Sequence, residues 1–140
     1  LIRFDHRWRD IDLKIDLDRN LPAIMAIGDQ LVQVMMNLLL NAADACEGIT
    51  TRKPTIELET HYQDGKARVI VKDNGKGMSE ETVRKIFQPF FTTKGDSGGT
   101  GLGMPLCEGI INDHGGYMDI VSTPGEGTTI TCVLPVHTES

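Results

Sequence analysis

The sequence predicts an α+β fold, a two-layer sandwich with about three helices on one face of a mixed, mostly antiparallel β-sheet. Three observations lead there. Apolar and polar residues alternate in several short segments, which is the period of a half-buried strand. Two pairs of these segments flank turn-forming residues, Asp64-Gly65 and Pro124-Gly125-Glu126-Gly127, and so read as antiparallel hairpins. Segments of helical period lie between them, in the order strand-strand-helix-strand-strand-helix-helix-strand-strand, which segregates the helices to one side of a sheet.

Each element follows from local residues. Across Asp10 to Asp18, Ile11, Leu13, Ile15 and Leu17 alternate with Asp12, Lys14, Asp16 and Asp18, as in a strand with one buried face. Leu21-Pro22 breaks that strand, and Ala23 to Ile27 reads as a short apolar one. Gly28-Asp29 turns the chain and supplies an N-cap for a helix over Asp29 to Ala45. A polar loop after Glu47-Gly48 ends at Pro54. Thr55 to His61 and Lys66 to Lys72 form the first hairpin, and the second strand runs directly into Asp73-Asn74-Gly75-Lys76-Gly77-Met78. Ser79 caps a short helix reaching Phe87, whose first turn carries Glu80 and Glu81, where the helix dipole favours acids. Gln88 to Gly99 reads as a long irregular loop. Thr100 to Pro105 leads into a helix ending near Asn112, with Pro105 in the first turn, where no amide donor is needed, and Gly115-Gly116 as the stop. Tyr117 to Ser122 and Thr128 to Val136 form the second hairpin.

Composition narrows the function. With 140 residues, 39% hydrophobic and 24% charged, the chain is one domain with a single core. The net charge is -6 and the 14 Lys and Arg are scattered, which argues against nucleic-acid binding. No apolar run reaches membrane-spanning length. Cys46, Cys107 and Cys132 have neither zinc-site nor disulfide-framework spacing and are expected as buried free thiols in a reducing cytoplasm. His6, His61, His114 and His137 show no ligand spacing. A chain that opens on Leu1 reads as part of a longer protein.

The longest helix carries a polar stripe. Gln30, Gln33, Asn37, Asn41 and Asp44 recur at steps of three and four, while Leu, Val, Met and Ala fill the rest and imply burial on most sides. Amides within such a surface are costly unless something satisfies them. A solvent-facing stripe is the plain alternative. A narrow, amide-rich stripe without Lys or Arg suits a ligand or metal better than bulk water.

Three further segments carry chemistry. Asp73-Asn74-Gly75-Lys76-Gly77 sits at a strand end, where a carboxylate can accept from an exocyclic amine such as that of adenine; by itself it is more often a plain turn. Gly98-Gly99-Thr100-Gly101-Leu102-Gly103 precedes a helix, whose free amides and dipole form an anion site. It is neither a Walker A loop nor a dinucleotide fingerprint. Phe87-Gln88-Pro89-Phe90-Phe91-Thr92-Thr93-Lys94 holds three of the four Phe, as in a loop pinned to the core or a lid whose Lys94 reaches a phosphate.

Taken together and in this order, the segments resemble the ATP-binding domain of sensor histidine kinases, in the superfamily that includes gyrase-type and mismatch-repair ATPases. Asn37-Leu38-Leu39-Leu40-Asn41-Ala42 is similar to its asparagine box, Asp73 to Met78 to its first glycine box, Phe87-Gln88-Pro89-Phe90 to its phenylalanine box, and Gly99-Thr100-Gly101-Leu102-Gly103 to its second glycine box. Gly115-Gly116 through Thr123-Pro124-Gly125-Glu126-Gly127-Thr128 to Leu134-Pro135 looks like its closing strands. The resemblance spans about Asp10 to Pro135 and implies the Bergerat ATP-binding fold. It implies that residues 1–140 are one catalytic ATP-binding domain, with the dimerisation and phosphoacceptor domain elsewhere in the parent protein.

The resemblance also implies roles. Asn41 coordinates Mg²⁺ bridging the phosphates of ATP, with Asn37 near the same phosphates. Asp73 accepts from the adenine amino group, Gly75 and Gly77 shape the adenine pocket, and Thr128 lies at the adenine end. Gly99, Thr100, Gly101, Leu102 and Gly103 cradle the phosphates under a lid, where Lys94 contacts them. Where the hydrolases of the superfamily carry a general-base Glu four residues before the magnesium Asn, this chain has Asn37, and an amide cannot take a proton at neutral pH. Transfer to a supplied nucleophile is therefore expected over hydrolysis. That nucleophile is a histidine on a dimerising helical hairpin. His6, in Phe4-Asp5-His6-Arg7-Trp8, has no room before it for one and reads as structural, so the chain is expected to bind ATP without autophosphorylating. A response regulator is the downstream partner, with this chain a monomer and the parent a homodimer, on the cytoplasmic side of any membrane. Ala43-Asp44-Ala45 is similar to the nitrogen-regulatory type, and Asp44 replaces a basic residue common elsewhere. The rivals are an anti-sigma-type serine/threonine kinase, a docking module without chemistry and a hydrolase.

Overall fold

A computed structural model describes residues 10–18, 29–87 and 103–135. Strands β1 (Asp12–Asp16), β2 (Thr55–Gln63), β3 (Lys66–Asp73), β4 (Tyr117–Thr123) and β5 (Gly127–Pro135) form one sheet in the order β1-β2-β3-β5-β4. Only β1 runs parallel to its neighbour, because the long helix carries the chain from β1 back to the start of β2. Helix α1 is Asp29–Ala45, α2 is Glu80–Lys85 and α3 is Gly103–Asp113. The mixed sheet and three helices match the expected class. Strand β1 is shorter than the alternation from Asp10 to Asp18 suggests, and the strand expected over Ala23 to Ile27 lies outside the described residues.

Local rules account for the element ends. Asp64 and Gly65 both take positive φ, 56° and 75°, which is the turn that fits the twist of a two-residue hairpin. Ser79 caps α2 by accepting from the Thr82 amide, and exposed Glu81–Lys85 and Glu80–Arg84 pairs add weakly on its surface. At the end of α3 the Gly116 amide donates to Ile111 and the Gly115 amide to Asn112, which closes the last turn.

The core lies between the sheet and the helices. Leu31, Val34, Leu38 and Ala42 of α1 bury one stripe against Ile56 and Leu58 of β2, Val69 and Val71 of β3, and Ile130 and Cys132 of β5. Met104, Cys107, Ile110 and Ile111 of α3 close the same cluster. All three cysteines are buried free thiols, as expected from their spacing. The opposite face of the sheet is open, with Val121 63% and Tyr117 54% exposed.

Register organises the inner face into rows across the sheet. One row is Thr60, Val69, Cys132 and Met118, and the next is Leu58, Val71, Ile130 and Ile120. The row after that is Ile56, Asp73, Thr128 and Ser122. The covered face thus turns polar at one end.

Leu38 is fully buried. Leu38→Ala is expected to lower unfolding stability by about 3 kcal/mol, read as a lower urea midpoint at unchanged slope.

Candidate nucleotide-binding site

The polar row is the floor of the site. β3 delivers Asp73 to the inner face at its last rung, opposite Thr128 of β5. The Gly75 amide donates to Asp73 Oδ1 at 2.9 Å, and the Thr128 amide also donates to this carboxyl. Burial pushes the Asp73 pKa up to about 6, and these two N–H groups limit the rise. Thr128 is buried, and its Oγ1 lies 2.7 Å from Ser122 Oγ. Ser122 Oγ also accepts from the Met78 amide at 2.8 Å and donates to the Gly127 carbonyl at 3.2 Å. A buried carboxyl beside a held hydroxyl pair is built to receive an N–H donor.

The loop of residues 74–78 is the wall beside that floor. It is wedged between the end of α1 and the β4–β5 turn. The Lys76 amide donates to the Ala45 carbonyl at 2.9 Å, and the Gly125 amide donates to the Lys76 carbonyl at 2.7 Å. A Cβ on Gly75 would stand 2.3 Å from the Ala45 carbonyl oxygen. Gly77 has φ +67°, and a Cβ there would stand 2.1 Å from the Thr123 oxygen. The two glycines therefore shape the pocket by letting protein backbone close on both sides of the loop. Asn74 ties the loop to the segment before β2: Oδ1 accepts from the Thr55 amide at 2.8 Å, and Nδ2 donates to the Lys53 carbonyl at 2.9 Å.

The polar stripe of α1 is divided. Gln30 and Gln33 are exposed, whereas Asn37, Asn41 and Asp44 are half-buried toward the end that meets the loop. Burial is less complete than the composition suggests, because Val32 and Met36 stand 39% and 40% exposed. With Gln33, Asn37 and Leu40 they line an open groove. The Cys107 thiol donates to the Val34 carbonyl at 3.9 Å across the α1–α3 contact; burial pushes that thiol up to about 11, and the neighbouring Asn37 side chain limits the rise. The Asn41 side chain makes no hydrogen bond to another described residue.

Lys94, Gly99, Thr100, Gly101 and Leu102 lie outside the described residues, as does His6. Gly103 opens α3 and is half-buried, and Pro105 sits in the first turn as expected. Ile86 and Phe87 pack against the core, so the aromatic segment is anchored at its start.

Sequence reasoning missed two residues that build the site. Ser122 lies in a strand of ordinary composition, and only its register beside Thr128 exposes it. Arg52 lies in a polar loop and donates to three backbone carbonyls, those of Asn74, Gly75 and Gly125. No spacing rule points to either. Cys46, expected as a buried free thiol, sits against Asn74 with Sγ 4.0 Å from Oδ1.

A helix-covered mixed sheet with a buried acid at a strand end, a glycine loop beside it and an amide-bearing helix above it defines a nucleotide-binding ATPase-like domain. Residues 26–138 match the histidine kinase-, DNA gyrase B- and HSP90-like ATPase family, and the chain belongs to it. The chain is 40% identical over 139 residues to the sensor histidine kinase ZraS of Klebsiella oxytoca, covering 98% of this chain and 29% of that protein. It is 39% identical over 128 residues to the signal transduction histidine-protein kinase AtoS of Escherichia coli strain K12, covering 91% of this chain and 20% of that protein. The chain thus spans under a third of the length of these curated relatives. Among solved structures, the nucleotide-free catalytic domain of histidine kinase ThkA superposes with a TM-score of 0.71 at 30% identity, covering 96% of this chain and 88% of that one. The mycobacterial sensor histidine kinase MprB shares the fold at a TM-score of 0.75 and 22% identity, covering 99% of this chain and 90% of that one.

The raised pKa of Asp73 has a measurable sign. Between the ordinary value of 3.8 and about 6 the native state holds the proton that the unfolded chain releases, so this group's contribution to stability falls as pH rises through that window. Asp73→Asn is expected to remove that slope from thermal melts and to raise stability at pH 7.5 by about 1 kcal/mol, while weakening nucleotide binding.

Proposed function

We propose that this chain binds Mg²⁺–ATP and transfers its γ-phosphoryl group to a histidine on a dimerising helical hairpin elsewhere in the parent protein. The observation that carries the reading is the meeting of α1 with the Asp73 loop. The Ala45–Lys76 hydrogen bond joins the end of the amide-bearing helix to the loop that follows the buried acid, which supports one shared site. Asp73 receives the adenine amino group, and Thr128 supports that end of the site. Asn41 holds Mg²⁺, which supplies neutralisation of the phosphate charge. Its unengaged amide fits a hard cation that takes most of its counter-charge from phosphate. Lys94 and the residues from Gly99 to Gly103 complete the phosphate end.

Asn37 favours transfer over hydrolysis. It occupies the slot of the superfamily's general base, and an amide cannot take a proton at neutral pH. The kinase names of the relatives support a histidine over serine or threonine as the acceptor. A response regulator then takes the phosphoryl group, the parent is a homodimer, and the isolated chain is a monomer. No described helix is long and apolar enough to cross a membrane, and we place the domain in the cytoplasm, either free or as part of an anchored sensor.

Calorimetry on the purified chain is expected to show ATP binding that chelation of Mg²⁺ weakens. Asn41→Ala should reduce Mg²⁺-dependent affinity by roughly tenfold or more with an unchanged circular dichroism spectrum. Unchanged affinity in that variant sinks the assignment of the stripe. Incubation with γ-labelled ATP is expected to label an added hairpin bearing an acceptor histidine and not the chain itself. Stoichiometric phosphohistidine on the chain alone contradicts the division of labour.

A further inference from the structure

The loop of residues 74–78 reaches the base site along an edge where the sheet has run out. Asp73 and Thr128 are the last pair of the β3–β5 ladder on that side. Beyond them, the Gly125–Lys76 hydrogen bond and the Arg52 guanidinium span the gap between loop and turn. Arg52 Nε donates to the Asn74 carbonyl at 2.7 Å, and Nη2 donates to those of Gly75 at 2.8 Å and Gly125 at 3.0 Å.

We propose that Arg52 is a positioning residue for base recognition: it latches the glycine loop to the β4–β5 turn and so sets how Asp73 and Thr128 present themselves to the base. The inference rests on the nucleotide reading above. Two of the three acceptors directly follow Asp73 in the chain, and the third lies three residues before Thr128. The latch therefore acts on both sides of the last ladder pair. Arginine suits the task because a planar fork offers several fixed N–H directions, whereas an ammonium is a single compact charge. Bonds from a charged donor to carbonyls are stronger than neutral ones, so three on one side chain hold a junction that no strand pairing holds. Asn74 adds a second tie to the same segment, since its side chain binds Lys53 and Thr55 on either side of Pro54. Arg52 acts through the loop and is not a catalytic residue: among the described residues its hydrogen bonds all go to protein backbone.

The test uses the 140-residue chain, Arg52→Ala and Arg52→Lys, with calorimetry for Mg²⁺–ATP, NMR titration for adenosine and thermal melts. Arg52→Ala is expected to remain folded and to bind ATP and adenosine more weakly by the same factor, roughly tenfold, since the defect lies at the base. Arg52→Lys should recover part of that loss by reaching one carbonyl. A folded Arg52→Ala with unchanged affinities overturns the proposal, as does a loss for ATP that adenosine does not share. If Arg52→Ala does not fold, Arg52→Lys decides on the same criterion at a smaller scale, and unchanged adenosine affinity there overturns the proposal. A wild-type chain that binds neither ligand overturns the nucleotide reading and this inference with it, whereas normal wild-type binding beside unaffected variants removes only the role of Arg52.

Discussion

The close approach of the Gly75 backbone to the Ala45 carbonyl is the contact on which the site depends. A helix ends with carbonyls that lack partners within it, and α1 has no basic side chain in its last turn to cover them. The Lys76 amide takes the Ala45 carbonyl instead, and only a residue without Cβ can pass beside that oxygen. One seam therefore satisfies the helix end and fixes the distance between the amide stripe and the buried acid. Apolar burial of Leu31, Leu38, Ile56 and Val71 supplies most of the driving force, but it is non-directional. The directional groups decide the register.

A buried carboxyl with no cation hydrogen-bonded to it among the described residues is a cost, and burial raises the Asp73 pKa accordingly. The same logic applies to α1, where half-buried amides stand in a helix otherwise built for packing. On the proposed reading, stability is given up in each place at a position that binding can recover, which is the usual trade at functional sites. On the proposed reading, the buried acid stands at the base end and Asn37 and Asn41 at the phosphate end, so these two offer a polyphosphate donors and acceptors without negative charge.

Much of this was legible in the residue order. The alternation from Thr55, the Asp64-Gly65 turn, the Ser79 cap and the Asn37–Asn41 spacing are local features, and local geometry suffices for them. Helix α1 runs over the span that periodicity assigns to it. Where reasoning fell short, the information was non-local. Val32 and Met36 look like core residues by type but remain partly exposed, because hydropathy does not say whether a neighbouring element covers that side of a helix. Gly75 and Gly77 are expected to shape a pocket, and what they approach is protein backbone.

By itself, then, the sequence determined the element order, the caps and turns, the family and the residue types at each box, since these depend on neighbours a few positions apart. Only the tertiary structure decided that Ile56, Asp73, Thr128 and Ser122 share one row, that Asn37 meets Cys107, and that Arg52 joins three carbonyls. The physical reason is that strand register and helix docking bring together residues far apart in the chain, and a hydrogen bond reads distance in space and ignores distance along the backbone.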